Sequence, residues 1–286
     1  MSLGNFEFVI LAVVVVLLGL VIRAAWLGRR RWRPADWARV MGFELTPQNS
    51  PMVVAYLVRT RTLQVAGAVI GLLAPIGAAL VGRPLPVPFD WGLIDALVGY
   101  LVGAVVGELT IKRPRGSVQV ASLQPRELRD YLPASLLWGW RAATAAALLL
   151  VATFQLLNAR AAEPTWMPHP VVIGTTILAV LLSVEVLQRL IVARPQPAAD
   201  RDVIRADDAI RSASVHALAG AGAALQLIIC AVHVMAIGAI SESQFVMWAL
   251  VSAGLACFVM AFASWVYATR PRRRLGWHPR SAPACF

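Results

Sequence analysis

Apolar runs of about twenty residues recur along the chain, separated by short polar segments, and a run of that length is what a helix needs to cross a bilayer. Seven are expected to do so: Phe6–Trp26, Thr62–Gly82, Trp91–Ile111, Ser135–Leu157, Pro170–Val192, Ser214–Ile240 and Phe245–Ala268. Three of them end on Arg113-Pro114, Arg194-Pro195 and Arg270-Pro271. A proline cannot continue a helix and an arginine does not stay in hydrocarbon, so each pair marks a helix leaving the membrane on one and the same side. Aligned on these pairs, the residues 52, 53 and 54 positions upstream are Arg61, Arg141 and His216. Each is a basic group at the inner start of a helix, so the unit reads as a repeated hairpin.

The expected architecture is an all-α, polytopic membrane helical bundle of about seven transmembrane helices, a single membrane domain over 1–286. It divides into a leading span 6–26, an inner interfacial segment 27–58, hairpins 59–114, 134–195 and 211–271, and a basic inner tail 272–286. The N-terminus is expected outside and the C-terminus inside. Glu7 precedes the first run while Arg29-Arg30-Arg31, Arg33 and Arg39 follow it, the reverse of a secretory signal, so that run is expected to stay.

Between the runs, Trp32, Trp37 and Phe43 alternate with charges, as in a segment lying against anionic headgroups or a solvated linker. Pro75 is expected to kink the second span. Ser122–Leu132 reads as a short amphipathic helix, and Asp207 and Arg211 as an ion pair on a helix outside the membrane. The outer loops at Arg83 to Asp90 and Asn158 to His169 are too short for a domain.

Composition agrees with a membrane setting: of 286 residues 59% are hydrophobic and 14% charged, against about 25% charged in soluble domains. The net charge of +11 would point to nucleic acid in a soluble chain. Here only Arg83 and Arg160 of the 26 basic residues fall on the outer side, so the charge reports topology and no nucleic acid is expected. Lys112 is the lone lysine, an arginine bias that suggests a GC-rich bacterial genome and hence a bacterial plasma (inner) membrane.

Candidate chemistry is sparse. Gly99, Gly103 and Gly107 recur every four residues and form a helix-packing stripe. Glu108, Arg141, Glu185 and Arg189 are the ionisable groups nearest membrane depth on the inner side, a candidate polar cluster in which Arg141 pairs with Glu108 or Glu185. Each also sits where it can snorkel to the headgroups. His216 and His233 are 17 residues apart on one helix, about 25 Å, too far to share a metal. The aspartates at 200, 202, 207 and 208 lack the glycine and closing glutamate of a calcium loop. Cys230, Cys257 and Cys285 make no disulfide framework. There is no phosphate-binding glycine loop, His-Glu-x-x-His, Cys-x-x-Cys or nucleophile elbow, and a retinal Schiff base would need a lysine in the last span. No catalytic residue, metal ligand or cofactor is therefore expected, and the chain reads as not an enzyme.

Two functions fit. One is a non-catalytic membrane protein that binds or scaffolds a partner, with anionic headgroups and a protein partner at its inner face, and with oligomerisation compatible. The other is a permease-like transport subunit for a small solute, with the polar cluster and Pro75 as working parts. The first is favoured because the central thirds of all seven runs lack Asp, Glu, Lys and Arg, which ion-coupled carriers commonly use.

Overall fold

A computed structural model describes residues 33–80, 92–110, 119–120, 127–160, 170–194, 196–197 and 200–270. The expected first span, both outer loops beyond Arg160 and Leu80, residues 121–126, the proline of each Arg-Pro pair and the basic tail lie outside the described residues. Among those described, the chain forms α1 Pro34–Met41, α2 Ser50–Leu80, α3 Gly92–Leu109, α4 Leu128–Tyr131, α5 Ala134–Asn158, α6 Pro170–Ala193, α7 Arg201–Ala239 and α8 Gln244–Thr269. A two-residue antiparallel pairing of β1 Gln119–Val120 with β2 Gln196–Pro197 is the one strand pairing among them. Five helices are long and apolar enough to cross a membrane: α2 as far as Ala74, α5, α6, α7 and α8. α3 adds a shorter apolar stretch, Val98–Leu109.

The bundle is built around α7. Its 39 residues reach about 58 Å, nearly twice a hydrocarbon core of about 30 Å. Helices α3, α5, α6 and α8 all pack on it. Four neighbours fit because the middle of α7 is thin: apart from Leu218, every residue from Ala217 to Ala224 is alanine or glycine, and all are buried. A Cβ on Gly220 would meet that of Ala268 at 2.5 Å, and one on Gly222 would meet Val184 at 3.2 Å and Trp140 at 3.6 Å.

α2 and α3 form an antiparallel pair held by glycine on both sides. The stripe of Gly99 and Gly103 faces Gly67, Leu63 and Gly71 of α2 so closely that a Cβ on Gly99 would strike the Gly67 carbonyl oxygen, and one on Gly103 that of Leu63. Gly107 is looser, its nearest neighbour being Thr60 Cα at 3.4 Å. The stripe is thus used within the chain. α7 and α8 pair likewise through Gly220, Gly238 and Gly254. α5 and α6 are held differently, each bonded to α7: the Gln226 amide donates to the Ile177 carbonyl at 3.2 Å, and the Cys230 thiol faces that of Ala143 at 3.8 Å.

Arg59, Arg61, Arg141, Arg189, Arg194, Arg211 and Arg270 gather at one end of this bundle, its basic end. Two helices begin there well before the apolar runs do. α2 starts at Ser50 rather than Thr62, and α7 at Arg201 rather than Ser214. Charge ends the stretch that tolerates hydrocarbon, but it does not end a helix, and no proline interrupts residues 198–270. α2 stays helical through Pro75 as far as Leu80.

Gly99→Ala is expected to destabilise the bundle by about 1–3 kcal/mol, because the Gly67 backbone cannot move aside as a side chain would. Gly174→Ala, whose Cβ would meet nothing within 4 Å, should be neutral or stabilise by up to about 1 kcal/mol. Unfolding midpoints in detergent compare the two.

Candidate functional site at the basic end

Before the apolar runs begin, α1, the first turns of α2 and the first turns of α7 make a small platform with its own core: Trp37, Ala38, Phe43, Val53, Tyr56, Leu57, Ala206, Ala209 and Ile210. α1 opens on Pro34, which needs no N–H partner there, and closes on Gly42 in the left-handed conformation (φ 83°). The chain then folds back so that the Trp37 ring meets Phe43 edge-on at 5.7 Å and Tyr56 at 5.9 Å. Trp37 and Phe43, expected at headgroups or in a linker, are instead buried against protein, because α2 and α7 extend far enough to receive them. Asn49 pins the connecting loop: its Oδ1 accepts from the Thr46 N–H, and its amide donates to the carbonyls of Glu44 and, at 3.4 Å, Asp202 on α7.

Arg211 lies at the centre of this end, with 0% of its surface exposed. Its Nε donates to Asp207 at 2.7 Å, one turn back on α7. Its Nη1 reaches the last carbonyls of α6, those of Ile191 at 3.2 Å, Val192 at 3.3 Å and Arg194 at 2.6 Å. A helix C-terminus leaves such carbonyls without intrahelical donors and concentrates negative potential there, so the guanidinium caps α6 and offsets its own burial at once. Next to it Ser212 donates to the Tyr131 carbonyl at 3.4 Å and the Tyr131 hydroxyl to Asp208 at 3.4 Å, joining α4.

The expected cluster of four divides in two. Glu185 receives Arg141 at 2.5 Å and Arg189 at 3.2 Å, and the Arg141 guanidinium also lies 5.3 Å from the Trp138 ring. Glu108 is elsewhere: it is 1% exposed and accepts from the Tyr56 hydroxyl at 3.2 Å on the α2–α3 side. It belongs electrostatically with Arg194, Arg211 and Asp207. Burial, then the nearby Arg211 guanidinium, lowers the pKa of Arg194, while Glu108 and Asp207 act in the opposite direction. Arg141 therefore pairs with Glu185 and not with Glu108.

Asp207 and Arg211 form the expected ion pair, but both are buried against protein rather than lying on a solvated helix face. The signal was present: Ala206, Ala209, Ile210 and Ala213 interleave the charges, leaving no continuous polar face for water. His216, aligned with Arg61 and Arg141 as a helix start, is buried well inside α7, its Nδ1 3.0 Å from the Ser212 carbonyl. Among the described residues no group of three or more His, Cys, Asp or Glu side chains could hold a metal ion. Comparison with protein-family models, with curated proteins and with solved structures gives no match.

What this arrangement does chemically is fix geometry. The Arg211 guanidinium ties α7 to the end of α6, Tyr131 adds α4, and Asn49 adds the loop that leads into α2.

Arg211→Leu is expected to cost about 3–5 kcal/mol, since it leaves Asp207 charged and buried. The double variant Asp207→Leu/Arg211→Leu should not recover, because the α6 carbonyls still lack a donor; recovery to wild-type stability would refute the capping role. Glu185→Gln, at a partly exposed pair, should cost under about 1 kcal/mol. Denaturation midpoints in mild detergent report all three.

Proposed function

We propose that the protein is a seven-span component of a bacterial plasma membrane, N-terminus outside and C-terminus inside, that holds a partner at its inner face rather than catalysing a reaction. The observation that carries this reading is the platform. Two helices extend past the apolar runs and share one apolar core, and a fully buried ion pair on the second fastens it to the end of a third. A rigid surface standing clear of the bilayer loses little conformational freedom on binding, which is what a docking face requires.

Anionic headgroups fit beside it, where Trp138 is 60% exposed and Arg189 projects from α6. The glycine stripe on α3 is already covered by α2, so a protein partner or a second copy would engage the platform. Nucleic acid has no place in this reading, since the excess arginine follows from topology.

A second reading, a permease-like subunit for a small solute, is favoured by one observation: polar side chains Gln188, Gln226 and His233 are fully buried among the apolar spans.

Two measurements test the proposal. A green fluorescent protein fused after Phe286 should fluoresce and an alkaline phosphatase fused there should stay inactive; the reverse pattern sinks the orientation. A photo-reactive residue at exposed Val40 or Gln48 should yield a cross-linked species of discrete mass in intact cells, and one at Leu182, exposed on α6, should not. No discrete species from either platform position would rule the docking reading out.

A further inference from the structure

One face of α7 carries a line of polar contacts that the platform does not explain. Val215, Gly222, Gln226 and His233 are separated by seven, four and seven residues, so at about 100° per residue they lie within roughly 40° of one another. That face meets α5 and α6. Starting from the basic end, the Gln188 amide donates to the Val215 carbonyl at 3.1 Å, and Trp140 closes on Gly222. Farther along, the Gln226 amide donates to the Ile177 carbonyl at 3.2 Å. His233 packs edge-on against Phe154 at 5.9 Å, with its Nδ1 2.8 Å from the Ile229 carbonyl.

Gln188, Trp140, Gln226 and His233 are each no more than 2% exposed. Each also keeps a buried polar atom with no hydrogen-bond partner among the described residues: Gln188 Oε1, Trp140 Nε1, Gln226 Oε1 and His233 Nε2. A proton on His233 Nδ1 for the Ile229 carbonyl makes Nε2 an acceptor, so the line offers three acceptors and one donor. One unpaired buried atom costs about 1–3 kcal/mol, and leucine, close to glutamine in volume, would fill position 188 or 226 without that cost. From Val215 to His233 the line covers about 27 Å, close to the thickness of a hydrocarbon core.

We propose that the seam between α5, α6 and α7 is a binding path for small uncharged solutes rich in N–H or O–H donors, such as an amide or a polyol, with water as the smallest. Ions do not fit. Residues 219–233 of α7, and the facing stretches 142–154 and 171–184, contain no Asp, Glu, Lys or Arg to offset the desolvation of a charge. The inference rests on the second reading above and is independent of the platform.

The test uses the purified full-length protein in liposomes and follows vesicle volume by stopped-flow light scattering, with water, urea and glycerol as probes. Wild type should exceed protein-free vesicles several-fold for at least one probe. Gln226→Met and His233→Phe should return that rate towards the protein-free value, whereas Leu182→Ala, on an exposed position of α6, should keep it. Thermal melting of each variant separates a lost path from a lost fold, and Gln226→Leu with His233→Leu gives a second pair should either fail to fold. A wild type no faster than bare vesicles for all three probes, or folded seam variants as fast as wild type, overturns the proposal. Cross-linking at Val40 and Gln48 is read separately in cells, so failure of either idea leaves the other standing.

Discussion

Helices in hydrocarbon gain little from burying apolar surface, because lipid tails are as apolar as leucine; they associate by close van der Waals contact and by hydrogen bonds between helices. In this bundle that requirement falls mainly on α7. A helix touched by four others must be thin where they cross, and the run from Ala217 to Ala224 makes it so. The crossing partners then supply bulk: Trp265 and Ala268 from α8, Val184 from α6 and Trp140 from α5. A dispersion contact weakens steeply with even a small gap, so each missing side chain on α7 is matched by a larger one opposite.

The three antiparallel pairs solve the same problem in different ways. α2–α3 brings backbone against backbone at glycine, while the glycines of α7–α8 receive side chains of the facing helix, Ala268, Leu250 and Met235. α5 and α6 instead each reach α7 through polar and sulfur groups, and α7 acts as their common support. Gln188 of α6 and Gln226 of α7 supply hydrogen bonds between these two helices, whereas His233 bonds the Ile229 carbonyl of its own helix and meets α5 through the Phe154 ring. Their remaining polar atoms are surplus to that holding role.

At the basic end the physics changes from packing to charge. Arg211 sits where the last carbonyls of α6 converge, so a guanidinium that would be costly to bury finds four acceptors within reach. Since Arg211 also anchors the extended part of α7, the platform and the spans share one rigid element. The seam begins about one turn farther along, at Val215, so an event at the platform and a solute in the seam would act on the same helix.

Much of this was legible in the amino-acid order. Long apolar runs predict helices by length alone, arginine clusters mark one end of the bundle, and four-residue spacing of Gly99, Gly103 and Gly107 predicts a close helix contact, because each follows from local chemistry and helical periodicity. The pairing of Arg141 with Glu185 was one of two partners the sequence allowed. The rest was not legible. That Gly67 and Gly71 answer the stripe, that Glu108 leaves Arg141 for Tyr56, and that Asp207 and Arg211 face protein rather than water all depend on which helices become neighbours. So does the choice of α7 as the axis, for its alanines and glycines look like any small-residue run until four other helices are laid against them. Sequence determined which segments are helical and which end is basic; the tertiary structure alone decided who touches whom, since contacts between residues far apart in the chain are set by the fit of whole helix surfaces and not by any local pattern.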